Sequence, residues 1–273
     1  MSTVDKDNAM AALRAWQREL LERHGARPIF GKIGPMSVSA LCYFYRPSEQ
    51  VEDTFPYTAC AIYETWRHCG RLKTNLIVNE PSPAVEKFQR EHAKWVSVQV
   101  EPKLTPGSVD AMSVDCNSRL HTRFDTPYVL IIQDDGFPLR PGLERFLGMY
   151  DYVGSPFRRR NFLGRAAASL LRHCPANGGF SLRTKKICRL ASEYWHKYYA
   201  DKPFSPEQVE DIFYTDTLPK RFLSYRFRIR VADPRTASDF SYDGCLPENV
   251  IPYPFGFHSA RAFSALELAN EHG

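Results

Sequence analysis

The sequence predicts an α/β fold in which βα units build a largely parallel sheet. Two observations carry that reading. Between residues 37 and 133, short apolar, β-rich runs alternate with stretches of helical periodicity, as a parallel sheet requires, because each strand is reached by a crossover. The chain of 273 residues, 43% of them hydrophobic, is also long enough to bury such a sheet well.

The elements follow in order. Residues 8–24 place Met10, Leu13, Trp16, Leu20 and Leu21 at helical spacing among Arg14, Arg18, Glu19, Glu22 and Arg23, which predicts an amphipathic helix. Its flanking charges have both signs, favouring packing on the domain or a partner over peripheral membrane contact. With the connector "GARPIFGKIGP" it makes up residues 1–34, ahead of a main domain over residues 35–273. In that domain "MSVSALCYFY" reads as a strand stopping near Arg46-Pro47, and "FPYTACAIYETWRHCG" as a helix ending at Gly70. Then come the strand "KTNLIVNE", the helix "SPAVEKFQREHAKW", the strand "VSVQVEP", the helix "SVDAMSVDCNSRLHTRF" and the strand "YVLIIQ". From Gly136 onward the elements shorten into a second half, where "LRTKKICRLASEYWHKYY" and "SPEQVEDIFYTDTL" read as helices and "RFRIRVA" as a strand.

Composition narrows the function classes. A formal net charge of +5 from 36 basic and 31 acidic residues gives mixed surfaces, suited to an anionic small substrate as well as to nucleic acid. Seven scattered cysteines without a C-x-x-C pair signal neither a zinc site nor a disulfide framework, so a reducing compartment is the simpler reading. The N-terminus lacks the basic start and apolar core of a signal peptide, and no stretch is long and apolar enough to span a bilayer. The expectation is a cytoplasmic protein, with the inner face of the membrane as its alternative location.

Four segments could carry chemistry. In "YVLIIQDDGFP", Asp134 and Asp135 follow an apolar strand, and open parallel sheets bind ligands outside the carboxyl ends of their strands. Mg²⁺ and Mn²⁺ favour oxygen ligands, often one or two carboxylates plus substrate phosphates. Asp, Gly and Pro after a strand are equally ordinary turn formers, so this segment leaves turn and metal site open. "ANGGFSLR" has paired glycines, Gly178 and Gly179, that permit a hairpin turn or the close approach of backbone to a ligand. Glu210 and Asp211 in "VEDIFY" lie near a predicted helix start, where free N–H groups favour carboxylates in any case. His258 ends "YPFGFH" among apolar residues, where a lone imidazole is more often packed core than ligand.

Taken in order, "IIQDDGF", "YDYVGSPF", "NGGFSLR", "VEDIFY", "ASDFSYD" and "PFGFH" resemble a glycosyltransferase-like family, known as a domain of unknown function, with a GT-A type fold. The resemblance covers roughly residues 37–262 and implies a Rossmann-like nucleotide-binding half joined to a smaller acceptor-binding half around one continuous mixed sheet. It implies transfer of a sugar from a nucleotide-sugar donor to a hydroxyl of a glycan or lipid-linked saccharide, with inversion, a divalent cation (Mn²⁺ or Mg²⁺) and no nucleic acid. By that analogy Asp135 and His258 would hold the cation, and Asp134 would stand beside them in the donor site. Gln133 stands where a D-x-D motif has its first Asp. Asp211 would be the catalytic base with Glu210 as its neighbour, because a carboxylate must take the acceptor proton while positive charge shields the leaving diphosphate. Gly178 and Gly179 would floor the sugar site, and Tyr45 and Arg46 would stack on the base and bind phosphate. Arg158, Arg159, Arg160 and Arg165 read as a solvated face, a lid over the diphosphate or an anionic-acceptor surface. The alternatives are a sugar nucleotidyltransferase, against which the first strand lacks a Gly-rich, Arg-containing phosphate loop, and a nucleic-acid-binding module using the arginine run.

Overall fold

A computed structural model of the chain describes residues 6–24, 34, 36–156, 176–221, 229–243 and 254–271. The arginines at 158–160 and 165 lie outside the described residues. A six-stranded mixed sheet forms the centre, in the order β3-β2-β1-β4-β7-β6. Its strands are β1 (Val38–Phe44), β2 (Lys73–Val78), β3 (Val96–Val100), β4 (Tyr128–Ile132), β6 (Tyr152–Pro156) and β7 (Ala176–Thr184). The first four are mutually parallel, while β7 runs antiparallel to both β4 and β6.

The predicted βα order is present, and burial on both faces explains why β1 and β4 are nearly continuous apolar runs, while the edge strand β3 is buried only at Val96. Ala40, Cys42 and Phe44 of β1 pack with Phe55, Ile62 and Trp66 of α2 (Ser48–Cys69), and α3 (Pro83–Glu91) adds Val85 and Phe88. The alternate positions Leu41 and Tyr43 pack with Cys116 of α4 (Val109–Arg119) and with Ile187 and Ala191 of α5 (Lys185–Tyr198). Ser82, Ser108 and Thr184 cap α3, α4 and α5, each accepting a hydrogen bond from a first-turn N–H. The helix α2 begins at Ser48, well before the predicted start, and contains Pro56. The missing proline N–H removes one helical bond, which burial of Val51 and Phe55 against the sheet offsets.

Two predicted elements differ, and one open choice is resolved. "ANGGFSLR" is no hairpin turn: all of it lies in β7. From Gly154 to Pro156 the partner strand β6 advances two residues while β7 advances five, from Ala176 to Ser181, so β7 bulges at the glycines. "SPEQVEDIFYTDTL" is not one helix. A 3₁₀ turn (Pro206–Gln208) stops at Val209, whose ψ of 130° is extended, and α6 then runs as an α-turn (Glu210–Ile212), a π-turn (Phe213–Thr217) and a further α-turn (Leu218–Arg221). Of "RFRIRVA", only residues 229–232 are described, and there Val231 makes a single bridge to Tyr152 in place of a strand.

The expected mixed sheet is accompanied by a second, three-stranded one of β5 (Gly136–Pro138), β9 (Gly256–His258) and β8 (Ser241–Tyr242). The helix α7 (Pro234–Phe240), capped by Asp233, precedes β8. On the small sheet lie α1 (Lys6–His24) and α8 (Ala260–Glu271), joined through Leu13, Phe137, Phe257 and Phe263. Trp16 stacks on Phe137 with ring centroids 6.0 Å apart. The apolar stripe of α1 therefore covers this domain. Among the described residues, Cys42, Cys60, Cys69, Cys116 and Cys188 are buried free thiols, and no helix is long and apolar enough to cross a membrane.

Candidate active site

Strand order reverses direction at β1, with β2 and β3 on one side and β4 on the other, so a crevice opens between the carboxyl ends of β1 and β4. A cavity of about 500 Å³ occupies it. Every residue singled out from the sequence as a site candidate within the described portion lines this cavity: Tyr45 and Arg46 after β1, Asp134 and Asp135 after β4, Gly178 and Gly179 on β7, Glu210 and Asp211 on α6, and His258 on β9.

"QDDG" is a tight turn and a cavity wall at once. Gln133 N–H donates to the Gly136 carbonyl at 2.8 Å and Gly136 N–H returns a bond at 3.1 Å, leaving the two acids as the turn's tip. Their carboxylates then diverge. Asp134 Oδ2 accepts from Arg14 Nη2 at 2.5 Å and from Arg46 Nη2 at 3.4 Å. Asp135 Oδ1 lies 3.9 Å from His258 Nε2. Burial raises the Asp135 pKa, an effect the neighbouring His258 opposes.

His258 is held at both ring nitrogens. Nδ1 is 3.3 Å from Asp243 Oδ1, and Nε2 is 3.2 Å from Gln133 Oε1. Burial by itself would lower its pKa, but the Asp243 hydrogen bond and the charges of Asp135, Asp243 and Asp211 leave it raised. The next residue, Ser259, has φ 83° and is the only non-glycine with positive φ among the described residues. Its N–H donates to the Asp135 carbonyl at 2.8 Å, tying the His258 strand to the acidic turn.

The opposite wall is built around a buried cation. Arg183 of β7 is wholly buried between the rings of Tyr152 and Tyr214, at 5.0 and 4.6 Å, and pairs with the Glu210 carboxylate. Glu210, expected as a catalytic neighbour of Asp211, is thus engaged by Arg183, and its N–H bonds Ser113 Oγ at 3.1 Å. Asp211 remains half-buried at the cavity, with Oδ1 accepting the Ile212 N–H at 2.6 Å. Burial raises its pKa, against which the Ile212 N–H and Arg183 act. Tyr45 faces the cavity with its hydroxyl 3.4 Å from Met112 Sδ, and burial pushes its pKa to about 12.

The paired glycines serve a purpose other than a bare floor. A Cβ on Gly178 would lie 2.1 Å from Glu210 Oε1, and one on Gly179 would lie 2.1 Å from His258 Nε2 and 2.6 Å from Gln133 Oε1. The space each side chain would occupy is filled by the protein's own functional groups. Gly179→Ala is expected to displace the His258 ring, lowering stability by about 1–3 kcal/mol, as thermal or urea denaturation would measure.

Sequence reasoning missed five residues: Arg14, Gln17, Asn177, Arg183 and Asp243. Gln17 carried a signal, since it falls four residues after Leu13 on the buried stripe of α1, where an apolar residue is the norm. Asn177 Oδ1 accepts the Gly179 N–H at 2.8 Å, and its Nδ2 lies 3.4 Å from Asp243 Oδ2.

The oxygen and nitrogen donors at this turn suit a divalent cation in part. Asp135 Oδ1, His258 Nε2 and Gln133 Oε1 converge on one patch, and Asp243 holds the far nitrogen of His258, the orienting contact common behind metal-bound imidazoles. Among the described residues no group of three or more His, Cys, Asp or Glu side chains is arranged to hold a metal ion. Two protein ligands completed by substrate phosphates still fit the chemistry of Mg²⁺ or Mn²⁺.

The parallel half-sheet, antiparallel β7 and crevice define a GT-A type glycosyltransferase-like fold. The structure matches the galactosyltransferase LgtC, solved with donor and acceptor sugar analogs, at 12% identity and a TM-score of 0.50, covering 85% of this chain and 94% of that one. It matches the apo form of mouse xyloside xylosyltransferase 1 at 12% identity and a TM-score of 0.51, covering 82% and 98%. A more distant likeness, at 13% identity and a TM-score of 0.43, is to the mannosyltransferase PcManGT from Pyrobaculum calidifontis, solved with GDP-Man and Mn²⁺; it covers 84% of this chain and 66% of that one. Residues 98–258 match the family described as protein of unknown function (DUF5672), and the chain belongs to that family. No curated protein matches it in sequence.

Proposed function

We propose that the protein is a glycosyltransferase that moves a sugar from a nucleotide-sugar donor to a hydroxyl of a glycan or lipid-linked saccharide, with inversion. The observation that carries the reading is the convergence of Asp211, Asp135 and His258 on one cavity at the carboxyl ends of β1 and β4, with Asp211 and His258 close enough to act on each other's charge. The LgtC and xylosyltransferase structures share the fold and support the class of reaction. Asp211, its basicity raised by burial, accepts the acceptor hydroxyl proton as that oxygen attacks the anomeric carbon. Tyr45 and Met112 form the wall on which the donor base rests, and Arg46 reaches toward its phosphates. Asp135 and His258 would hold Mn²⁺ or Mg²⁺, which supplies positive charge to the departing diphosphate. Glu210, bound by Arg183, fixes the position of the adjacent Asp211.

A panel of UDP-, GDP-, CDP- and TDP-sugars, read by thermal shift with and without Mn²⁺, tests the proposal. One donor class should raise the melting temperature in a Mn²⁺-dependent way; indifference to all of them sinks the transferase reading. Asp135→Ala should remove the Mn²⁺-dependent part of that shift and weaken donor binding by roughly 10- to 100-fold, as measured by titration calorimetry. Unchanged binding would return the "QDDG" acids to a purely structural turn.

A further inference from the structure

The family-matched stretch begins at residue 98, yet α1, far upstream, enters the cavity: Lys6, Met10 and Arg14 line it. The contact is built. Arg14 Nη2 donates to Asp134 Oδ2 at 2.5 Å, and Gln17 Nε2 donates to the Asp134 carbonyl at 2.7 Å. Three residues apart, Arg14 and Gln17 share one helix face. Arg14 is itself fixed by Gln17 Oε1 at 2.9 Å and by the Tyr57 ring, 4.1 Å from its guanidinium. Gln17 and Leu13 are wholly buried, and the Arg14–Asp134 side chains are only 16% and 13% exposed, so the ion pair escapes most of the solvent screening that weakens surface pairs.

Asp134 and Asp135 are neighbours on a two-residue tip, so fixing one orients the other. We infer that Arg14 is a positioning residue: by clamping Asp134 to α1, with Gln17, it holds that carboxylate away from the cation side and presents Asp135 alone to His258. The N-terminal helix is thereby a working wall of the cavity. The inference rests on the donor-site reading for its consequence, but the clamp itself is a property of the unliganded chain.

The test compares full-length Arg14→Ala, Arg14→Lys, Asp134→Asn and the Arg14→Ala/Asp134→Asn double variant by amide hydrogen exchange and by calorimetric titration with UDP, GDP, CDP and TDP in Mn²⁺. Arg14→Ala should speed exchange of the Gln133 and Gly136 amides while those between Leu13 and Leu20 stay protected. It should weaken nucleotide binding on the order of tenfold. Arg14→Lys should recover part of both effects, and the double variant should bind no more weakly than Asp134→Asn, because Arg14 acts through that carboxylate. Unchanged exchange at the turn, additive losses in the double variant, or deprotection along the whole of α1 would each overturn the inference. If the unaltered protein binds none of the four nucleotides while the exchange pattern holds, the donor-site reading fails and the clamp stands.

Discussion

Asp211→Asn is expected to lower sugar transfer by about 10²- to 10⁴-fold, the range for loss of a positioned general base, while leaving nucleotide binding within about twofold. The asymmetry follows from position. Asp211 stands on α6 and lines the same cavity as Asp135 and His258, and among the described residues its carboxylate accepts the Ile212 N–H. Asparagine keeps the shape and an oxygen for that bond but cannot take a proton. Burial raises the Asp211 pKa, so on the proposed function the unaltered protein should lose kcat as pH falls through a value above the ordinary carboxylate range, because the protonated acid is no base. Steady-state kinetics against pH, beside calorimetric binding of the donor nucleotide, separate the two effects. A fully active variant removes Asp211 from the base role.

Arg183→Met is expected to cost about 3–5 kcal/mol of stability, since it leaves the buried Glu210 carboxylate without its partner. Glu210 is only 6% exposed and Arg183 not at all. Methionine nearly fills the arginine stem but leaves Tyr152 and Tyr214 facing an apolar chain and Glu210 without its partner. Replacing both members, Arg183→Met with Glu210→Leu, should recover much of the loss, because a buried ion pair exchanged for apolar volume is often near neutral. Urea denaturation of the two variants gives the comparison. Equal losses in the single and double variants would mean that the rings, not the charge pair, depend on Arg183.

The parts of this fold that were legible in the sequence are those where one local signal dominates. Strands β1 and β4 are short apolar runs buried on both faces, and the helices α3 and α4 carry their own caps at Ser82 and Ser108. The acids of "QDDG" were legible as a place, because they follow a buried strand, though not as a pair with different fates. Their divergence depends on Arg14, 120 residues away in sequence, and no periodicity encodes that distance. The "ANGG" segment left a turn and a close backbone approach open for a physical reason. Paired glycines usually mark a turn, but here they sit in an extended, bulged strand because Glu210 and His258 need the volume. Glu210 misled: its place beside Asp211 suggests shared chemistry, and only the fold reveals that Arg183 takes up its charge.

The bulge in β7 bears on how this site can diversify. Gly178 abuts the Glu210 carboxylate and Gly179 the His258 ring, so one short piece of backbone spaces the acids of α6 from the His258 ring like a gauge block. That backbone belongs to a strand of the central sheet. Relatives that accept different sugars or acceptors should therefore vary along the rim, at Tyr45, Met112 and the exposed end of α1. Grafting a new rim onto an unaltered β7 is then the economical route to a changed specificity.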